Sequence, residues 1–208
     1  MLTSRLYVIT NRNLCEPKSI VSVVSEILDA GVKAIQLREK DLNDTDLLRI
    51  ALPISKLCKN YEAQLFINSN VKIAIDVGAA GLHLPDNDVS VQEVREKTQN
   101  NLMVACSTHS ISTAKRRETE GADFLTYSPI YKVRSKPTDN VAVGVVNLEK
   151  LVHHVNIPVF ALGGITPTRV KECISAGASG VAVMSGIISA TDSALRAKAY
   201  LECLSFNQ

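Results

Sequence analysis

Four segments of the chain repeat one design: DAGVKAIQLR (29–38), DVGAAGLHLP (76–85), EGADFLTYSP (120–129) and SAGASGVAVMS (175–185). In each, a small-residue turn centred on Gly31, Gly78, Gly121 or Gly177 leads straight into an apolar run. Glycine ends a helix cheaply in the left-handed conformation, and a strand then begins at once. Four more apolar runs alternate with these: LYVIT (6–10), AQLFINS (63–69), LMVACST (102–108) and PVFALGG (158–164). They are continuous rather than alternating, as expected of strands covered on both faces. Helically spaced stretches such as SIVSVVSEILDA, DTDLLRIALPISKLC, VSVQEVREKT and TPTRVKECISA lie between runs. One echo per two strand–helix units is the imprint of a (β/α)8 barrel. An open doubly wound sheet fits less well, because the strands are too many and no GxGxxG follows the first. The expected fold is therefore α/β, a single TIM barrel over residues 1–208.

The composition narrows the class of function. Apolar residues make up 46% of the 208, enough for a large core, and the formal charge of +2 is too mild for nucleic-acid binding. The five cysteines are scattered without CxxC spacing, which suits free thiols in a reducing compartment. The opening MLTSRLYVIT turns polar too soon for a signal peptide, and no run is long enough to span a bilayer. A cytoplasmic protein that engages neither membrane nor nucleic acid is expected, with a homodimer the ordinary assembly for a small barrel.

A barrel carries its chemistry at the carboxyl ends of its strands. LGGITP (162–167) and VMSGI (183–187) follow the seventh and eighth runs, where glycines let backbone amides approach a phosphate. Gly163, Gly164, Met184 and Ser185 are the candidates there; tight turns alone would also account for the glycines. In QLREK (36–40), alternation sends Gln36 and Arg38 to one side of the strand with Lys40 beyond. Two cations and an amide suit a diphosphate or another anion, although a helix-capping salt bridge involving Arg38 and Glu39 is an alternative. INSN (67–70) delivers Asn68, Ser69 and Asn70. CSTHS (106–110) delivers Ser107, Thr108 and His109, an imidazole that can move a proton near neutrality or simply cap a helix. The loop SPIYKVRSKPTDNVAVG is long, and Lys132, Arg134, Ser135 and Lys136 are its candidate phosphate contacts, with a solvated mobile loop as the alternative expectation. AKRRETE (114–120) reads as a charged helix face, His83 as an interior layer residue, and His153 and His154 as residues of the far end.

Taken together, QLREK, INSNVKIAIDVGAAGLHLPDND, STHS, GADFLTYSPIY with RSK, LGGITP and GASGVAVMSGI resemble the thiamine phosphate synthase and TenI family over nearly the whole chain. The resemblance implies a barrel enzyme of thiamine biosynthesis. A synthase joins hydroxymethylpyrimidine diphosphate to thiazole phosphate and releases pyrophosphate with the help of Mg2+. The TenI branch is instead a thiazole phosphate tautomerase that needs no metal. By position, the resemblance implies pyrimidine and diphosphate contacts for Gln36, Arg38, Lys40 and Asn68. It implies phosphate contacts for Ser135 and Lys136, a thiazole phosphate cradle at Gly164, Met184 and Ser185, and a magnesium ligand at Asp88.

Three departures stand out. Ser69 occupies the place of a second metal aspartate, LPDND resembles the TenI turn, and Pro129 stands where TenI proteins place a histidine. A carboxylate about 4 Å from a unit charge is worth on the order of 4 kcal/mol at an effective dielectric near 20. A serine hydroxyl lacks that charge, and Asp86 is the candidate to compensate. The expected function is a synthase with Arg38, Lys40, His109 and Lys136 as the reactive set. The alternatives are a TenI-like tautomerase using His109, or a non-catalytic phosphate-ligand regulator.

Overall fold

The computed structural model describes residues 2–133 and 141–205. Eight parallel strands close into a barrel in sequence order: β1 (Leu6–Ile9), β2 (Ala34–Leu37), β3 (Gln64–Asn68), β4 (Gly81–Leu84), β5 (Met103–Thr108), β6 (Phe124–Tyr127), β7 (Val159–Leu162) and β8 (Gly180–Val183). The helices are α1 (Ile20–Asp29), α2 (Asp44–Asn60), α3 (Val71–Asp76), α4 (Val91–Thr98), α5 (Ile111–Thr119), α6 (Gly144–Val152), α7 (Pro167–Ser175), α8 (Ser185–Ile188) and α9 (Ser193–Ser205). Each of the eight apolar runs is a strand. The four turn glycines have φ of 102°, 61°, 94° and 88°, the left-handed helix ends that their spacing requires.

Strand alternation divides the core in two. Outward residues such as Leu6, Val8, Ile35, Leu37, Ile67 and Leu82 pack against the helices in the larger apolar cluster. Inward residues Tyr7, Phe66, Phe124 and Phe160 fill the barrel as a plug, with ring centroids 5.4 to 6.3 Å apart. Edge-to-face pairs of this kind contribute about 0.5–1.5 kcal/mol each beyond their burial. The plug needs Gly81 on β4, where a Cβ would sit 2.5 Å from the Phe66 ring. Above the plug, toward the strands' carboxyl ends, the inward residues turn polar: Gln36, His83, Ser107 and Asn68.

Among the described residues all five cysteines are free thiols, and no helix is long and apolar enough to cross a membrane. One reading needs correction. AKRRETE is not simply a solvated face, because Arg117 is fully buried. Helical spacing marked α5 as amphipathic but could not show that the β4–α4 loop folds over it.

Candidate active site

The mouth is built from the ends of β2, β3, β4 and β5. At the end of β2, Glu39 is the structural anchor. Its Oε1 accepts from the Thr10 hydroxyl at 2.7 Å and its Oε2 from the Arg12 backbone amide at 2.9 Å. The Arg12 guanidinium lies 3.4 Å from the same carboxylate. Thr10 in turn accepts from the Arg38 backbone amide at 2.9 Å, so the β1 and β2 loops are tied into one unit. Glu39 thus pairs with Arg12, not with Arg38 as one reading of the sequence allowed.

Arg38 is left half-buried, and no carboxylate of the described residues forms an ion pair with it. Burial pulls its pKa down, only partly opposed by the nearby Glu39 charge. A half-buried guanidinium in this state can accept an anion supplied from outside. Below it, Gln36 is 1% exposed and its Nε2 donates to the Tyr7 hydroxyl at 3.3 Å. Tyr7 also lies 3.3 Å from His83 Nδ1, while His83 Nε2 is 2.9 Å from Ser107 Oγ. Burial, with the Arg38 charge adding to it, pushes the His83 pKa down to about 3, so the ring is neutral.

Beside this column opens a cavity of about 320 Å³, lined among others by Lys40, Asp44, Asn68, Ser69, Asn70 and Pro85. The end of β3 folds sharply here. Ser69 adopts a left-handed φ of 59°, its amide bonds His83 O at 3.0 Å, and Asn68 Nδ2 donates to Ser69 Oγ at 3.0 Å. Asn70 is occupied structurally, since its side chain caps α3 at Ile73 N and donates to Asp44 Oδ1 at 2.7 Å. A larger cleft of about 400 Å³ lies between Gly78 and Leu102, at the strands' amino-terminal ends, away from this chemistry.

The β4–α4 loop carries Asp86 and Asp88 and is fixed by α5. Arg117 donates to the carbonyls of Pro85, Asp86, Asp88 and Val89 at 2.9 to 3.2 Å, and pairs with Glu120 at 2.8 Å. Asp88 Oδ1 accepts from the Val89 amide at 2.9 Å. The Asp86 carboxylate stands 3.9 Å from Arg116, and its buried Oδ1 has no hydrogen-bond partner.

At the end of β5, Ser107 belongs to the interior column, but Thr108 is fully buried and donates to Thr126 O at 3.1 Å, holding the sheet together. His109 is exposed, and its Nδ1 donates to Ser128 O at 2.7 Å. That bond leaves Nε2 as the nitrogen available to accept a proton.

Opposite, Gly163 and Gly164 have φ of 103° and 63°. A Cβ on either would sit 2.8 to 2.9 Å from Pro129 or Tyr131, so these glycines let the β6 and β7 loops meet. Ile130 and Tyr131 amides bond Leu162 O and Gly163 O across that contact. Among the described residues, the Gly164 amide has no backbone acceptor. Met184 and Ser185 follow at the start of α8, on the adjoining strand end. Arg134, Ser135 and Lys136 lie outside the described residues, while Lys132 is described and exposed. His153 and His154 bond carbonyls of their own helix at 2.7 Å, away from the mouth. Tyr7 and Arg117 are mouth-building residues that the sequence did not single out, and Glu39 entered there only as an alternative partner of Arg38. The only sequence signal for Tyr7 was its inward parity on β1.

Comparison with known proteins finds relatives along nearly the whole chain. Residues 6–187 match the family model described as thiamine monophosphate synthase. The chain is 35% identical to a thiamine-phosphate synthase of Lawsonia intracellularis, covering 94% of this chain and 90% of that one. It is 36% identical to a thiamine-phosphate synthase of Methanococcus vannielii, covering 93% and 92%. Its fold superposes on a thiamine phosphate pyrophosphorylase from Pyrococcus furiosus with a TM-score of 0.88 at 31% identity, covering 97% and 96%.

Proposed function

The chain belongs to the thiamine monophosphate synthase family, and from that premise we propose that it makes thiamine phosphate from hydroxymethylpyrimidine diphosphate and thiazole phosphate. The observation that carries this reading is Arg38, a half-buried cation without a carboxylate partner among the described residues, two positions beyond the Gln36 amide at the end of β2. Diphosphate leaves with the electron pair of the pyrimidine methylene C–O bond, and the thiazole nitrogen supplies the pair for the new C–N bond. Arg38 and Lys40 stabilise the departing charge, as preorganised cations do in a partly dry site. Gln36 and Asn68 orient the pyrimidine, and Ser107 contributes a hydroxyl beside it. Gly163, Gly164, Met184 and Ser185 receive the thiazole phosphate, with Ser135 and Lys136 of the long loop as further contacts.

Mg2+ takes hard oxygen ligands, commonly one or two carboxylates completed by water and substrate phosphate. Asp88, with the Ser69 hydroxyl and with Asp86 in the same loop, fits that donor class. Among the described residues no three acidic, histidine or cysteine side chains converge on a point, so the diphosphate itself would complete the set. When bound, the ion neutralises charge on the leaving diphosphate. The same reading makes the protein a cytoplasmic enzyme, one domain per chain, acting singly or as a homodimer.

A second reading is supported by His109, whose Nδ1 bond to Ser128 O keeps Nε2 open. A tautomerase would use that nitrogen to move a proton on a thiazole carboxylate phosphate without metal. One experiment separates them: both half-substrates, with and without Mg2+, beside the carboxythiazole substrate alone. Mg2+-dependent thiamine phosphate supports the synthase. Metal-independent turnover of the second substrate supports the tautomerase. Thermal stabilisation by thiazole phosphate with no product in either assay supports a non-catalytic regulator.

A further inference from the structure

Four interior side chains from four strands form a continuous hydrogen-bonded column: Gln36 on β2, Tyr7 on β1, His83 on β4 and Ser107 on β5. Tyr7, Gln36 and His83 are all at most 2% exposed. The column has a direction. A neutral imidazole has one donor and one acceptor nitrogen, so what it does to Tyr7 fixes the opposite at Ser107. Gln36 Nε2 donates to the Tyr7 oxygen; if the Tyr7 hydroxyl hydrogen is then spent on His83 Nδ1, the tautomer is fixed and His83 Nε2–H donates to Ser107. The Ser107 hydroxyl hydrogen is left to point onward. At the other end, Gln36 Oε1 accepts from no protein donor among the described residues and is not one of the sealed, unpartnered atoms.

We infer that Tyr7 and His83 are positioning residues that lock Gln36 as an acceptor and Ser107 as a donor, so that the base site selects an amine donor together with a ring-nitrogen acceptor. This rests on the reading that a pyrimidine occupies the mouth. It goes further in assigning the selection to two residues that need not touch the ligand. Reversing one end of the column requires turning every member, including the histidine tautomer. A base with the inverted edge, an oxo group and a ring N–H, therefore meets two mismatches at once. Hydrogen-bonding sites reject such inverted partners strongly, because a buried polar group is left unpaired.

The test uses the full-length protein, the 4-aminopyrimidine alcohol and its 4-oxo counterpart. Calorimetry on the wild type is expected to give at least tenfold tighter binding of the amine. Tyr7→Phe removes one hydroxyl and keeps the aromatic plug, so Gln36 and Ser107 can turn independently. That preference is then expected to fall to threefold or less, with thiazole phosphate affinity unchanged within twofold. A preference unchanged in Tyr7→Phe, or no preference in the wild type, overturns the inference. Nitrogen-15 chemical shifts of His83 give a readout independent of any variant's folding. The Nε2-protonated tautomer is expected, and the Nδ1-protonated form overturns the assigned direction. Amine preference without thiamine phosphate formation would refute the proposed reaction and leave the column's role standing.

Discussion

The Arg117 guanidinium, rooted on α5, reaches the backbone carbonyl of Asp86 at 3.0 Å and holds the loop that carries Asp88. Three further carbonyls and the Glu120 carboxylate share the same cation. Removing a buried cation from such a set leaves several acceptors unpaired. Arg117→Met is expected to destabilise the fold by about 3 kcal/mol, measured by urea unfolding. It is also expected to raise the Mg2+ concentration needed for half-maximal synthesis, because the Asp88 loop loses its anchor. Loss of stability with unchanged Mg2+ dependence would confine Arg117 to a structural role.

Arg38 is the opposite case, a half-buried cation with no carboxylate partner among the described residues, which the proposed function assigns to a ligand. Arg38→Gln is expected to lower the rate of thiamine phosphate formation by about 10²–10³-fold. The melting temperature should stay the same or rise, since an unpaired half-buried charge has been removed. A drop of several degrees would show that Arg38 has a structural partner instead.

Ser69 tests the metal question directly. Its φ of 59° is a conformation that aspartate adopts more readily than most residues, so Ser69→Asp should fold as well as the parent. The added charge beside Asn68 is expected to reduce the half-saturating Mg2+ concentration at least tenfold, since solvent at this partly exposed end of β3 screens the full attraction of about 4 kcal/mol. An unchanged Mg2+ titration would argue against metal at the end of β3.

Glu39 is predicted to matter for stability before chemistry. Glu39→Gln replaces a carboxylate that accepts from Thr10 and from Arg12. Hydrogen bonds to a charged group contribute about 1.5–3 kcal/mol, and a loss of that size is expected in denaturant melts.

His83 makes stability depend on pH. Its folded pKa, about 3, lies below the ordinary value of 6.5, so the unfolded chain binds the proton between those values and the folded chain does not. Stability from this group is full above pH 6.5 and falls as pH drops toward 3, by about 1.4 kcal/mol per unit. Comparing His83→Asn with the parent at pH 7.5, 6 and 5 isolates the effect. The parent should lose stability faster than the variant, and equal slopes would contradict a buried neutral imidazole.

Much of the molecule is legible in its sequence. The four Gly-turn echoes and eight apolar runs determined the barrel, because helix-ending glycines and doubly covered strands leave local marks in sequence. The ordered motifs QLREK, INSN and LGGITP likewise fall at the carboxyl ends of β2, β3 and β7, since strand ends follow directly from strand positions. What only the tertiary structure decided was partnership. Glu39 pairs with Arg12 rather than Arg38, Arg117 is swallowed by a loop some 30 residues away, and Thr108 serves the sheet rather than the mouth. Tyr7 joins His83 across 76 positions. Sequence periodicity says which way a side chain faces. It does not say which distant strand or loop will meet it, because barrel closure brings those groups together.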